Sequence, residues 1–241
     1  MLSSETFSKV RVTAERHGLL GALYDLALKA VNSLVRVKIL RGVWIERVDP
    51  AFVRCPEPYT SMFLTEETLR RFARDPESNM SESFLEEALS KGDACYAILD
   101  GATLAAYGWY STKPSRIDPP DLILKFSPDY VYMYMGFTHP RYRGQRLHAI
   151  GMTLALRHYL ARGFKGLVSY VESNNFDSLK STVRMGYAVF GSIYALTAFG
   201  RTFTHLSRGC DRFGFSMESE LSRTSARSAR PRRPSWRGTP R

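Results

Sequence analysis

The chain is poor in cysteine. It has three, Cys55, Cys95 and Cys210, in 241 residues, with no short-spaced pair and no accompanying histidine pattern. That excludes a disulfide scaffold and a structural zinc site, and it reads as free thiols in a reducing compartment. An uninterrupted apolar run is also lacking. The longest candidate, residues 18–35, carries Asp25 and Lys29 inside it, which argues against a spanning helix. The N-terminus MLSSETFSKVRVTAER is polar where a secretory signal would be apolar, so a cytoplasmic protein is expected. No internal repeat is visible.

Positive charge is plentiful but unevenly placed. Residues 219–241 hold seven arginines against Glu220, which accounts for +6 of the net charge of +11. This Ser/Arg/Pro-rich stretch lacks the aliphatic side chains that repay ordering and is expected to be a disordered tail. It is a solubilising extension or a weak contact for nucleic acid or anionic membrane.

Near the N-terminus, Leu19, Leu20, Leu23, Tyr24, Ala27, Ala30, Val31 and Leu34 recur at helical spacing. The stripe is expected to pack on the domain. The alternative is an interfacial membrane helix, favoured by Arg36, Lys38 and Arg41 just beyond it. The Val- and Ile-rich residues 35–48 read as extended. Two helices follow: one opens at Thr65 with Glu66 and Glu67 in its first turn, the other at Ser83 with Glu86 as a capping box. Asp100-Gly101 between two apolar runs signals a hairpin. Residues 113–129, with four prolines, read as a loop. Residues 130–139 read as a strand, about 147–161 as a helix ended by Gly163, 166–172 as a strand, 175–185 as a helix and 187–199 as extended.

The densest information lies in residues 131–148, VYMYMGFTHPRYRGQRLH. A strand runs through a short Arg/Gly turn directly into a helix. That arrangement presents backbone N–H groups and a positive dipole end to a phosphate. The pyrophosphate of a nucleotide ligand would sit on the N–H groups of Gly144, Gln145, Arg146, Leu147 and His148, with Arg141, Arg143 or Arg146 adding charge-assisted bonds. Residues Met135, Gly136, Phe137 and Thr138 would line the slot beside it, where Gly136 allows close approach.

The order of elements, with HPRYRGQRLH and then ESNNFDSLKSTVRMGY about thirty residues later, resembles the GNAT acyltransferase superfamily over residues 43–215. The resemblance implies an α/β (α+β) fold: a mixed, mostly antiparallel central sheet with splayed central strands, flanked by helices. It divides the chain into an N-terminal helical extension (1–42), an acyltransferase domain (43–218) and the basic tail (219–241). It implies acetyl-CoA or another acyl-CoA as co-substrate and no metal. It also implies cofactor contacts from Asn175, which is otherwise a helix N-cap, and from Ser178. The acceptor would be a small-molecule or peptide amine, selected by residues 50–62, 113–129 and Trp109-Tyr110.

The chain departs from the family pattern in three places. Arg146 and His148 stand where small residues are usual, and Thr182 stands where many members have a tyrosine. The phosphate-loop strand carries Tyr132 and Tyr134 in place of a carboxylate. For the chemistry, Glu172 is the candidate base, Tyr134 or Tyr170 the candidate acid, and the N–H groups of Gly136 and Phe137 candidate oxyanion donors. His139 reads as structural or phosphate-facing. Two further readings stand beside N-acetyl transfer: acyl or aminoacyl transfer from a carrier-bound donor in envelope or polysaccharide metabolism, and a non-catalytic CoA-binding module.

Overall fold

The computed structural model describes residues 4–32, 35–117, 122–199 and 201–219; the Arg-rich tail from 220 onward lies outside them, and Ser219, drawn as its first residue, ends a strand. Among the described residues, eleven strands, β1 (Arg36–Ile45), β2 (Tyr59–Phe63), β3 (Ala94–Asp100), β4 (Thr103–Ser111), β5 (Ser115–Ile117), β6 (Leu122–Lys125), β7 (Tyr130–Thr138), β8 (Gly166–Glu172), β9 (Ala188–Ala198), β10 (Arg201–Leu206) and β11 (Ser216–Ser219), are interspersed with five α-helices. The helices are α1 (Ser4–Asn32), α2 (Glu66–Ala73), α3 (Glu82–Lys91), α4 (Leu147–Ala161) and α5 (Phe176–Arg184).

Eight strands form one sheet in the order β10-β9-β1-β8-β7-β4-β3-β2. Only the β7–β8 pair is parallel. The period-2 alternation of strands distributes the core over both faces. Along β3, Ile98 points to the side covered by α4, with Ile150 and Leu154. Cys95 and Ala97 point to the opposite side, against Leu69 and Phe72 of α2 and Leu85 of α3. The fold is therefore the mixed, mostly antiparallel sheet with flanking helices that the sequence leads one to expect.

The local signals are accounted for side chain by side chain. Thr65 caps α2 by accepting from the Thr68 N–H at 3.3 Å, and Asp100-Gly101 closes the β3–β4 hairpin. Gly163 follows α4 with φ +90°.

Four expectations are corrected. The cap of α3 is Ser81, which accepts from Phe84 N–H at 3.2 Å, and Ser83 lies one residue inside the helix. Residues 113–129 are not all loop. Their prolines flank β5 and β6, which join β11 in a three-stranded sheet over Leu40, Val168 and Ile193. The boundary drawn between 42 and 43 falls inside β1, which lies within the main sheet between β9 and β8. Finally, α1, kinked at Gly18, turns its leucine stripe outward. It packs instead through smaller and polar side chains: Ala22 and Asp25 are buried, and Tyr24 Oη bonds Ser173 Oγ at 2.7 Å.

Candidate functional site

Strands β7 and β8 begin as a parallel pair but separate early. Ladder pairing covers only Tyr130↔Gly166, Val131↔Leu167 and Tyr132↔Val168, although both strands continue for several residues. Beyond Tyr132 the edge of β7 that faces β8 has no strand partner, so its peptide groups are available to a ligand lying in the splay. On its other edge β7 bulges against β4. Trp109 pairs with Tyr134 and Tyr107 with Phe137, so Met135 and Gly136 together oppose Gly108. Met135 takes φ +49° to accommodate the extra residue.

Two cavities meet at this splay. One, of about 480 Å³, is lined by β7 from Tyr132 to Thr138, by β8 from Ser169 to Glu172, and by Asn175, Ser178 and Tyr187. The other, of about 780 Å³, lies at the start of α4 and is lined by Arg143, Gly144, Arg146, Leu147, Arg184 and Phe52, among others. His148, Thr138, Ser181 and Met185 line both. The result is one groove that runs from the splay to a basic helix N-terminus.

The local sequence explains that terminus. Arg146 sits at the cap position in the left-handed region, φ +61°, and no side chain caps α4. Gly144 supplies a second left-handed residue, φ +84°, with open space around it. The leading N–H groups of α4 thus face the larger cavity with three arginines around it, which is a site for an anion.

Most of the expected cofactor residues are brought together here. Met135, Gly136, Phe137, Thr138, Asn175 and Ser178 line the smaller cavity; Arg143, Gly144, Arg146 and Leu147 line the larger. Asn175 is the α5 cap, accepting from Ser178 N–H at 3.1 Å. Arg141 and Gln145 are not in the lining: Arg141 lies over the Tyr142 ring, and Gln145 Oε1 accepts from Tyr59 Oη at 2.5 Å. Gly136 does allow a close approach, but the visitor is His148. A Cβ built on Gly136 would stand 2.6 Å from His148 Cε1. Burial lowers the pKa of this imidazole, which stays neutral at pH 7.

The chemical candidates differ in how free they are. Glu172 faces the smaller cavity, yet Lys38 Nζ holds its carboxylate at 2.8 Å. The Tyr134 hydroxyl donates to the buried carboxylate of Asp93, which is itself 2.8 Å from Lys91 Nζ. Burial first, and then this hydrogen bond, hold the Tyr134 proton on well above the ordinary phenol range. Tyr170 stacks on Tyr132 with ring centroids 6.2 Å apart. It lines the smaller cavity, and burial raises the pKa of its phenol. The Thr182 hydroxyl is turned back to Leu179 C=O at 2.8 Å.

Several lining residues were not anticipated: Phe52, Tyr142, Ser181, Arg184 and Tyr187. The last two sit in the Arg-Met-Gly-Tyr ending already visible in the sequence. Tyr187 is buried, and its hydroxyl has no partner. Conversely, Trp109 and Tyr110 do not select an acceptor: both are in the core, because β4 is buried on both faces. His139 is structural. Its Nδ1 accepts from Arg141 N–H at 3.3 Å and its Nε2 lies 3.2 Å from Glu77. All three cysteines are free, and no group of His, Cys, Asp and Glu among the described residues is placed to hold a metal.

Splayed parallel strands, a bulge at the splay and an uncapped basic helix start form a groove suited to an extended ligand with an anionic end. The acetyltransferase (GNAT) family profile matches residues 60–187, just over half of the chain, and the protein belongs to that family. No curated protein matches it. Among solved structures it is similar to a GNAT-family protein from Novosphingobium aromaticivorans, with 17% identity, TM-score 0.45, and 67% of this chain and 65% of that one covered. It is likewise similar to a GCN5-related N-acetyltransferase-like protein from Streptococcus suis, with 16% identity, TM-score 0.48 and coverage of 73% and 67%. A third is AAC(6')-Iy in complex with the bisubstrate analog CoA-S-monomethyl-acetylneamine, with 14% identity, TM-score 0.42 and coverage of 53% and 89%. The chain spans just under two-thirds of the length of the Novosphingobium protein.

Proposed function

We propose that the protein transfers an acyl group, acetyl in the first instance, from acyl-CoA to the amine of a small molecule or peptide by direct attack. The observation that carries this reading is the continuous groove from the β7–β8 splay to the uncapped, arginine-flanked start of α4. The pyrophosphate is held by the leading N–H groups of α4 with Arg143, Arg146 and Arg184. The pantetheine arm runs past His148 along the unpaired edge of β7, beside Asn175 and Ser178.

At the splay the amine nitrogen bonds to the thioester carbonyl carbon, and the carbonyl oxygen becomes an oxyanion. The N–H groups of Gly136 and Phe137 stabilise it. Glu172, ion-paired with Lys38, takes the proton lost by the amine. Collapse of the intermediate breaks the C–S bond, and Tyr170 gives its proton to the leaving thiolate. In this reading Tyr134 is a wall of the cleft, since its proton is engaged by Asp93. An acyl-CoA donor and unpaired cysteines fit a cytoplasmic setting.

Thiol release from acetyl-CoA, measured against a panel of amines, tests the proposal. Amine-dependent turnover is expected, with kcat reduced roughly 10²-fold or more in Tyr170→Phe and in Glu172→Gln. The same assay with a carrier-bound thioester separates the two donor classes. Binding of acetyl-CoA without release for any amine would refute transfer and leave a binding module.

A further inference from the structure

The structure assigns to one end of the sheet a second surface, distinct from the acyl-CoA groove, that docks on an anionic lipid bilayer. Its main element is the part of α1 that follows the kink at Gly18. Leu19, Leu20 and Leu23 are 75%, 84% and 60% exposed, and Val31, two turns further on, is also exposed. On a helical wheel these four positions fall on one side, and Gly21, Ala22, Asp25 and Leu28, which face the protein, fall on the other. A helix that buries an alanine and an aspartate while it turns leucines outward is not placed for the stability of its own domain.

The patch continues beyond α1. The Asn32 side chain bonds the backbone N–H of Val37 at 2.6 Å, which brings the end of α1 to the start of β1. There Arg36 pairs with Thr197, two residues from the β9–β10 turn. Phe199 in that turn is fully exposed, and Phe203 on β10 is largely so. The end of α1, the edge of β1 and the hairpin turn therefore bring large apolar side chains to one end of the sheet.

Charge selects the occupant. Arg36 and Arg201 flank this patch, are exposed, and have no ion-pair partner among the described residues. The chain as a whole carries +11, and +6 of it lies in the last twenty-three residues. Apolar side chains bordered at one end by two unpaired arginines match the acyl boundary and phosphate layer of an anionic bilayer. The helix does not cross: no helix among the described residues is long and apolar enough to span a membrane. A second copy of the chain fits less well, because three leucines and a valine on one helix face fall short of the roughly 800 Å² per partner of a stable interface.

The test is flotation of the full chain with phosphatidylcholine vesicles prepared with and without phosphatidylglycerol. The comparison proteins are Leu20→Glu/Leu23→Glu and Arg36→Glu/Arg201→Glu. Wild type is expected to float with the anionic vesicles only and to be released as salt rises. Each double variant should lose at least about tenfold in partition coefficient. Tm and acetyl-CoA affinity should stay unchanged, since none of the four residues touches the core or the groove. Failure of wild type to float, or equal flotation of wild type and the leucine variant, overturns the proposal. So does a solution dimer that the leucine variant converts to monomer, because the face then belongs to a second copy.

Discussion

A single methyl group at Gly136 tests the arrangement of the cleft. In Gly136→Ala the new Cβ would lie 2.6 Å from His148 Cε1, 3.0 Å from His148 Nε2 and 3.2 Å from Met133 Cε. Carbon–carbon contacts settle near 3.5–4.0 Å, so the imidazole must retreat by roughly 1 Å. Its retreat leads into the junction of the two cavities, because Met133 closes one side and α4 fixes its backbone. Overpacking of this kind costs about 2 kcal/mol, or roughly 4–8 °C in Tm for a chain of this size. It also narrows the passage that a pantetheine arm would use. His148→Ala removes the obstacle, so the two substitutions should not add: Gly136→Ala/His148→Ala should recover about 1 kcal/mol or more of the expected sum, together with acetyl-CoA affinity. The assay is a double-mutant cycle in thermal unfolding, repeated with saturating acetyl-CoA. Additivity within about 0.5 kcal/mol would refute the contact between these two residues, and with it the role of His148 at the junction.

Other consequences are open to direct measurement. Burial holds the folded-state pKa of His148 below 6.5. The unfolded chain therefore binds the proton first, and the stability this group confers is complete above about pH 6.5 and lost as pH falls through the folded pKa. His148→Gln should flatten the acid limb of the stability-versus-pH curve relative to wild type, and an unchanged limb would contradict a buried neutral imidazole. Tyr187→Phe removes an orphan hydroxyl and should raise the stability of the protein by about 1 kcal/mol in thermal unfolding. A loss of stability without ligand would mean that the phenol already has a partner. Asp93→Asn leaves Lys91 without its buried counter-charge and replaces the carboxylate that accepts from Tyr134 with a weaker, neutral acceptor. A loss of about 3 kcal/mol is expected in chemical denaturation, and a neutral result would contradict the buried network.

What the sequence made legible was local or short-range. The cap at Thr65, the Asp100-Gly101 hairpin and the Asn175 cap each depend on side chains within a few residues, and their order was enough to suggest the sheet. The strand–turn–helix of residues 131–148 placed the anion site because it needs only a strand end and an uncapped helix start. Long-range pairing was not legible. β5 and β6 gain their sheet from β11, which lies about ninety residues on, and their flanking prolines signalled a loop. Helical periodicity located the α1 stripe, but a stripe does not say which side the domain takes. The side was settled by Tyr24, Asp25 and their partners on the segment after β8. Trp109 and Tyr110 gave no sign of being core because a strand covered on both faces loses its alternation. The engagement of Glu172 by Lys38 and of Tyr134 by Asp93 joins residues more than forty positions apart, beyond any spacing argument.

The central claim is that the groove at the β7–β8 splay holds acyl-CoA by its diphosphate at the start of α4. Calorimetric titration of acetyl-CoA into the wild-type protein and into Arg143→Ala/Gly144→Asp tests it most directly. The account predicts saturable one-to-one binding to wild type and at least about a hundredfold loss in the variant. There a carboxylate meets the diphosphate, and the aspartate that replaces Gly144 must adopt its left-handed backbone. Equal affinities, or no binding to the wild-type protein, would contradict it.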